Sequence, residues 1–457
     1  MSHTARNYPE EVDLPPVDDS SRTLLLALDA VPYRVAREAH TRGAFAGWAP
    51  PTALVAPFPS LTHPGFAALF RPFGAAPSWG YEIRYSDTAA NRVVGGNPVT
   101  YRDKVPPWSE LFDARHHGVV AKVGNYVSAS RAADAELDEV ATTVLGSPSD
   151  VVLAYLGATD GFMHLYEDDS LIEFLVALDR RLHDLAALHL ADRGRTLRIV
   201  LFSDHGCGRA RVHYTGNLRP LLRDAGLTVV ERLSGPDDVV APTFGIVNYV
   251  ALFLYDRARA ATAAETLSGH EAVDLAAFSP SPQLVEVVGR AGRARVRWQD
   301  SAAGRCFAYD DLSGDVLRLG AVTRRLETSG LVNDDGYADE ADWFRETAFA
   351  DYPDPLRRLA DALTGDLVRS RASVLVSLGP GWSWGWRSAF AGGLVRGGRL
   401  KGTHGGLDRE STLGFRLVND PSVPAPWALP ARTALAPFAE AVLRSRDDGG
   451  GSDGPAG

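Results

Sequence analysis

The sequence predicts an α/β protein: a doubly wound, mostly parallel sheet flanked by helices, with a smaller α+β segment inserted late in the chain. Three observations predict it. Aliphatic-rich runs at 23–28 (TLLLAL), 151–156 (VVLAYL) and 197–202 (LRIVLF) have the composition of strands covered on both faces. Stretches with helical apolar spacing, 132–145 and 171–190, alternate with these runs in the order that builds a parallel sheet. Each run is also followed closely by a carboxylate, Asp29, Asp160 or Asp204, and ligands of such sheets bind beyond the carboxyl ends of the strands.

Taken in order, residues 1–21 are acidic and proline-bearing, and are expected to form a flexible N-terminus with neither signal peptide nor membrane anchor. After Asp29, residues 31–44 have helical character. Leu54 and Val55 lead into FPSLTHPG, a proline-pinned turn that opens a small-residue helix at FAALF. Residues 71–118 are rich in Gly, Pro and aromatics and suggest a loop with a short helix, and 119–123 reads as a further strand. Beyond His205 the pattern changes. Residues 207–243 hold a helix and a short strand, 244–255 a buried strand, and 284–309 alternate around Gly289 and Gly292 as a hairpin does. This antiparallel material places an accessory segment at 241–334 and leaves 22–240 with 335–444 as the principal domain. Two helices at 339–348 and 355–368, strands at 373–378 and 413–418, and a last helix at 437–444 complete it. The tail 445–457, rich in Gly and Asp, is expected to be disordered.

Across 457 residues, 47 Lys and Arg stand against 57 Asp and Glu, a net charge of -10. That balance offers no electrostatic footprint for a nucleic-acid polymer or an anionic membrane. No apolar run reaches membrane-spanning length. Only Cys207 and Cys306 occur, too few for a disulfide framework. The expectation is a cytoplasmic globular protein acting on small molecules, its oligomeric state open.

Four features carry chemistry. Asp204 and His205 pair a carboxylate with an imidazole, donors suited to zinc or manganese, although an acid capping a turn beside a surface histidine has the same sequence. Asp160 and His164 are four apart and share a face if their turn is helical. Thr62 sits where a helix begins, and backbone N–H groups there favour an anion; an ordinary hydroxyl cap has the same appearance. Glycines flank His404 in GTHGG and let the backbone come close to a site.

Together and in this order, Asp29, Thr62, the Asp160–His164 pair, Ser203-Asp204-His205-Gly206 and His404 resemble the alkaline phosphatase superfamily, most closely its nucleotide pyrophosphatase/phosphodiesterase branch, across residues 22–418. The resemblance implies two divalent metal ions, with zinc favoured and manganese compatible with the donors. One would be held by Asp160, His164 and His404, the other by Asp29, Asp204 and His205 with Thr62 touching it. Three protein ligands at each site leave an open position, and paired metals suit an in-line displacement at phosphorus. The implied chemistry is attack by Thr62, a phospho-threonine intermediate and hydrolysis of that ester. The expected activity is that of a metal-dependent phosphodiesterase or nucleotide pyrophosphatase on a small phosphoester or nucleotide-type substrate. A phosphomonoesterase or phosphonate hydrolase of the same superfamily, and a metal-stabilised binding protein without catalysis, are the alternatives.

One departure stands out. Where that branch places an asparagine to hold a phosphate oxygen, this chain has GYEIRYSD, and Arg84 is the candidate replacement, against a surface arginine in a loop. Trp79, Tyr81 and Trp108 fit core packing better than a base-stacking platform. His116-His117 do not share a face, His63 fits a turn, and Cys207 fits a small packed residue.

Overall fold

The computed structural model describes residues 21–96, 104–115, 129–209, 213–214, 218–243, 246–301, 304–384 and 401–449. The expected strand at 119–123, His116-His117, most of the N-terminal segment and the last eight residues lie outside them.

The principal sheet has seven strands in the spatial order Ala428–Pro430, Thr52–Val55, Leu413–Val418, Leu197–Phe202, Arg22–Leu28, Val151–Leu156 and Ala114–Arg115. Its middle is parallel: Leu28 pairs with Leu156 and Ala27 with Phe202, so the three strands end level at one edge. Two antiparallel pairings, both made by Leu413–Val418, interrupt the parallel pattern. The unbroken apolar run of the first strand is explained by cover on both faces. Leu24, Leu26 and Leu28 join a core with Val35 and Ala39 of helix Tyr33–Thr41, Val140 of helix Ala129–Gly146 and Leu175 of helix Asp168–Arg193. Leu25 and Ala27 face the opposite layer, with Phe66 and Leu69 of helix Thr62–Leu69 and with Phe438. Each fully buried leucine contributes about 1.5–3 kcal/mol of transfer free energy. The level strand ends are therefore held by packing on both faces of the sheet.

The second sheet has nine strands: Thr228–Val229, Asp238–Val240, Tyr249–Leu254, Val374–Leu378, Val273–Ser281, Leu284–Gly289, Gly292–Ser301, Gly304–Ser313 and Ala338–Asp339. All but the first pairing are antiparallel, and the 284–309 hairpin pattern is present with Gly289 opposite Gly292. The sheet reaches beyond the expected accessory segment of 241–334. Val374–Leu378 lies between Tyr249–Leu254 and Val273–Ser281, so strands from 228 to 378 share this sheet. A buried run such as VLVSL carries no local mark of which sheet it joins, because pairing is non-local. Strand Val273–Ser281 and helices Ala260–Ser268 and Gly320–Thr328 are elements the sequence reading lacked. The C-terminal helix runs to Gly449, past the expected end at 444. Among the described residues no helix is long and apolar enough to cross a membrane.

Candidate active site

The level edge of the principal sheet gathers the residues singled out above. Asp29 follows the first strand directly. Val151–Leu156 feeds helix Ala158–Leu165, whose turn sets Asp160 and His164 on one face. Leu197–Phe202 delivers Asp204 and His205. Thr62 is the first residue of helix Thr62–Leu69, and its N-cap, Leu61, supplies no side-chain acceptor. Gly65 in that helix lies against Asp204: a Cβ there would meet the Asp204 Cβ and carbonyl oxygen at 3.0 Å. Glycine thus lets the Thr62 helix approach the strand end. His404 arrives from far along the chain because Gly402–Thr403 pairs with Gly208–Arg209, just after His205. The next residue, Gly405, has φ +113°, which explains why a side chain is disfavoured there.

Two groups form, Asp160 with His164 and His404, and Asp29 with Asp204 and His205, the donor atoms within each lying no more than 4.8 Å apart. Asp160 Oδ1 is 3.2 Å from His164 Nε2 and 3.5 Å from His404 Nε2. His205 Nε2 is 3.3 Å from Asp204 Oδ2 and 3.9 Å from Asp29 Oδ1. The groups adjoin, with the His205 and His404 rings stacked at 4.3 Å. Thr62 Oγ1 lies 3.3 Å from Asp29 Oδ1 and 3.4 Å from His205 Nε2, and Thr62 is only half-buried between buried neighbours.

The donor chemistry fits cations. Each histidine directs Nδ1 at a backbone carbonyl: His164 at Gly402, His205 at Gly206 and His404 at Ser60, at 2.9, 2.8 and 3.4 Å. A carbonyl only accepts, so each Nδ1 carries a proton and Nε2 faces the carboxylates, as a lone pair wherever the ring is neutral. Burial pushes His205 down to about 4, and burial with the His205 neighbour does the same to His404, so both are neutral at pH 7. The buried Asp204 Oδ2 accepts no hydrogen bond and faces the His205 lone pair, and burial pushes its carboxyl up to about 7. Two acceptors in van der Waals contact repel unless a positive charge lies between them, and a proton or a metal ion would meet that need. At the other group, burial opposes ionisation of Asp160, but His164 and His404 outweigh it and hold the carboxyl well below its usual range. His164 is raised: burial lowers it, and Asp160 more than compensates.

The structure thus brings Asp29, Thr62, Asp160, His164, Asp204, His205 and His404 together. Arg84 behaves differently, donating at 3.1 Å to both carboxylate oxygens of exposed Glu231. Tyr81 and Trp108 are buried, and His63 packs edge-on to Trp108, ring centroids 5.8 Å apart. Trp79 is approached by Lys104 and Arg369, the cations 4.4 and 3.9 Å from its ring. Cys207 is buried and, like Cys306, free.

Three contributors escaped the sequence reading. Tyr155 donates its hydroxyl to Asp29 Oδ2. Ser60 accepts from His404 through its carbonyl and donates its hydroxyl to Gly406 O at 2.9 Å. Buried Arg358, from the helix Pro355–Thr364, donates to Ser60 Oγ and to Leu407 O, tying the loops that carry Thr62 and His404. The only sequence signal for Tyr155 is a hydroxyl-tipped ring one residue before the end of an acid-bearing strand.

A mostly parallel sheet that presents two Asp/His groups and one hydroxyl at its strand ends defines the class, the alkaline phosphatase superfamily. Within it, the model of the family described as type I phosphodiesterase / nucleotide pyrophosphatase matches residues 50–302, more than half of the chain, and the chain belongs to that family of phosphoester hydrolases. The matched span holds Thr62, Asp160, His164, Asp204 and His205, while Asp29 and His404 lie outside it. No curated protein sequence matches. Similar solved structures include human ectonucleotide pyrophosphatase/phosphodiesterase 5, at 12% identity, covering 93% of this chain and 95% of that one, TM-score 0.48. The murine protein in an inactive form with AMP has 10% identity, coverage of 92% and 95%, and TM-score 0.46. Phosphonoacetate hydrolase from Sinorhizobium meliloti 1021 with phosphonoformate has 13% identity, coverage of 93% and 96%, and TM-score 0.45.

Proposed function

We propose that this phosphoester hydrolase cleaves small phosphodiesters or nucleotide-type pyrophosphates through a phospho-threonine formed on Thr62. The observation that carries the reading is the position of Thr62 Oγ1, 3.3 Å from Asp29 and 3.4 Å from His205 at the start of an uncapped helix. Asp160, His164 and His404 would hold one divalent cation, and Asp29, Asp204 and His205 the other, zinc being favoured by the mixed nitrogen and oxygen donors. When bound, such cations supply positive charge that acidifies a neighbouring hydroxyl and offsets the charge of phosphoryl oxygens. The chain's own residues do the rest. The Thr62 hydroxyl gives up its proton as Oγ forms a bond to phosphorus and the bond to the leaving alcohol or nucleotide oxygen breaks, and that oxygen takes a proton from solvent. The partial positive charge at the start of the Thr62 helix favours the anion placed there. Water then attacks the phosphorus of the threonine ester, the Oγ–P bond breaks, and Thr62 recovers its proton. The three histidines, held by carbonyls at Nδ1, keep Nε2 aimed inward throughout. A cytoplasmic location has the two free cysteines as its support.

The test is an assay of stripped and metal-restored protein on bis-p-nitrophenyl phosphate and p-nitrophenyl phosphate. Turnover of the diester, lost on chelation and regained with zinc or manganese, is expected. Preference for the monoester would replace the diesterase reading with a phosphomonoesterase, and turnover of neither under any metal would make the site a binding site only.

A further inference from the structure

Asp29 offers its two oxygens to different partners. The Tyr155 hydroxyl donates to Oδ2, whereas Oδ1 faces Thr62 Oγ1 and His205 Nε2. A phenol against a carboxylate can only be the donor. Its ring has little freedom to leave, being packed edge-on against Phe66 at 5.6 Å and tilted against Phe112 at 5.3 Å, with Trp108 at 6.4 Å. Asp204 shows the same division: the Ala30 N–H donates to Oδ1 at 3.2 Å, and Oδ2 faces His205. Both carboxylates of this group therefore turn one oxygen toward the cluster and commit the other to a donor.

We propose that Tyr155 is a positioning residue that makes Asp29 a one-oxygen ligand and so biases the Asp29–Asp204–His205 site toward a small four-coordinate cation such as zinc over manganese. The proposal rests on the two-cation reading above. Three single-atom donors and an open position match tetrahedral zinc, while manganese favours more oxygens, which a carboxylate free to turn both oxygens inward supplies. Removing the phenol oxygen releases Asp29 Oδ2 and leaves the packed ring in place.

The experiment titrates metal-free wild type and Tyr155→Phe with zinc and, separately, with manganese, following heat or chelator competition. The expected result is zinc affinity about 10–100-fold weaker at one of two sites, in the range seen when partners of metal ligands are removed. The other site should be unchanged, and manganese affinity at the affected site should move by less than about threefold, so the zinc-to-manganese ratio falls at least tenfold. In an Asp29→Ala background, Tyr155→Phe should have no further effect, because it acts through Asp29. Unchanged zinc binding, equal loss of both metals, loss at both sites, or full additivity with Asp29→Ala would each overturn the proposal. Wild type that binds two metals while Tyr155→Phe matches it overturns the proposal alone; wild type that binds none overturns the two-cation reading with it.

Discussion

Thr62→Ala tests the proposed nucleophile separately from everything around it. The substitution removes one hydroxyl and one methyl from a half-buried residue whose hydroxyl contacts are Asp29 at 3.3 Å and His205 at 3.4 Å. The Thr62 side chain caps no helix, since the N-cap is Leu61, and the first turn is otherwise secured by Gly65 N–H to Leu61 O at 2.8 Å. The stability cost is therefore about 1 kcal/mol or less, a melting shift of no more than about 2–4 °C in a chain of this size. Loss of a nucleophile, by contrast, removes about 10³–10⁶ of the turnover rate. Stopped-flow and steady-state assays on a chromogenic diester, with a melting curve and metal content on the same sample, measure both. Thr62→Ser, which keeps the hydroxyl, is expected to retain a measurable fraction of activity and to be labelled on serine when the reaction is acid-quenched. Turnover by Thr62→Ala within tenfold of wild type would refute the mechanism, as would phosphate label on another residue.

Other outcomes follow from the same geometry. Burial raises the Asp204 carboxyl to about 7, above its ordinary 3.8, so in the metal-free fold its contribution to stability is complete below the ordinary value and is lost as pH rises through about 7. A cation must displace that proton, so metal binding releases more proton from Asp204 at pH 6 than at pH 8; calorimetry in buffers of different ionisation heat reads the difference, and equal release at both pH values would contradict it. Leu26→Ala, in the most buried strand, is expected to cost about 2–5 kcal/mol in denaturant unfolding. Arg84→Ala should leave diester turnover within about twofold, because its guanidinium is engaged by Glu231; a loss beyond tenfold would instead assign Arg84 to the substrate phosphate.

The strands that end on acids were legible because they are local: Leu24–Leu28 and Val151–Leu156 are short apolar runs, and cover on both faces of a sheet accounts for them. His404 was legible through its flanking glycines, one of which adopts a positive φ that other residues resist. What stayed hidden depends on pairing at long range. Val374–Leu378 looks like any buried strand until its neighbours are known, and so its place in the second sheet went unread. The support around the site was hidden for the same reason. Tyr155 reads as a core aromatic, and Arg358 as a helix-surface arginine, until folding buries the guanidinium among Ser60 Oγ and the carbonyls of Pro353 and Leu407.

Metal content bears most directly on the claim that two Asp/His groups each hold a cation. Elemental analysis of the protein after exposure to zinc and gel filtration should find about two equivalents per chain, with His404→Ala or Asp160→Asn retaining about one and Asp204→Asn losing the other. Wild type that retains no metal, or variants of both groups that keep the full complement, would contradict it.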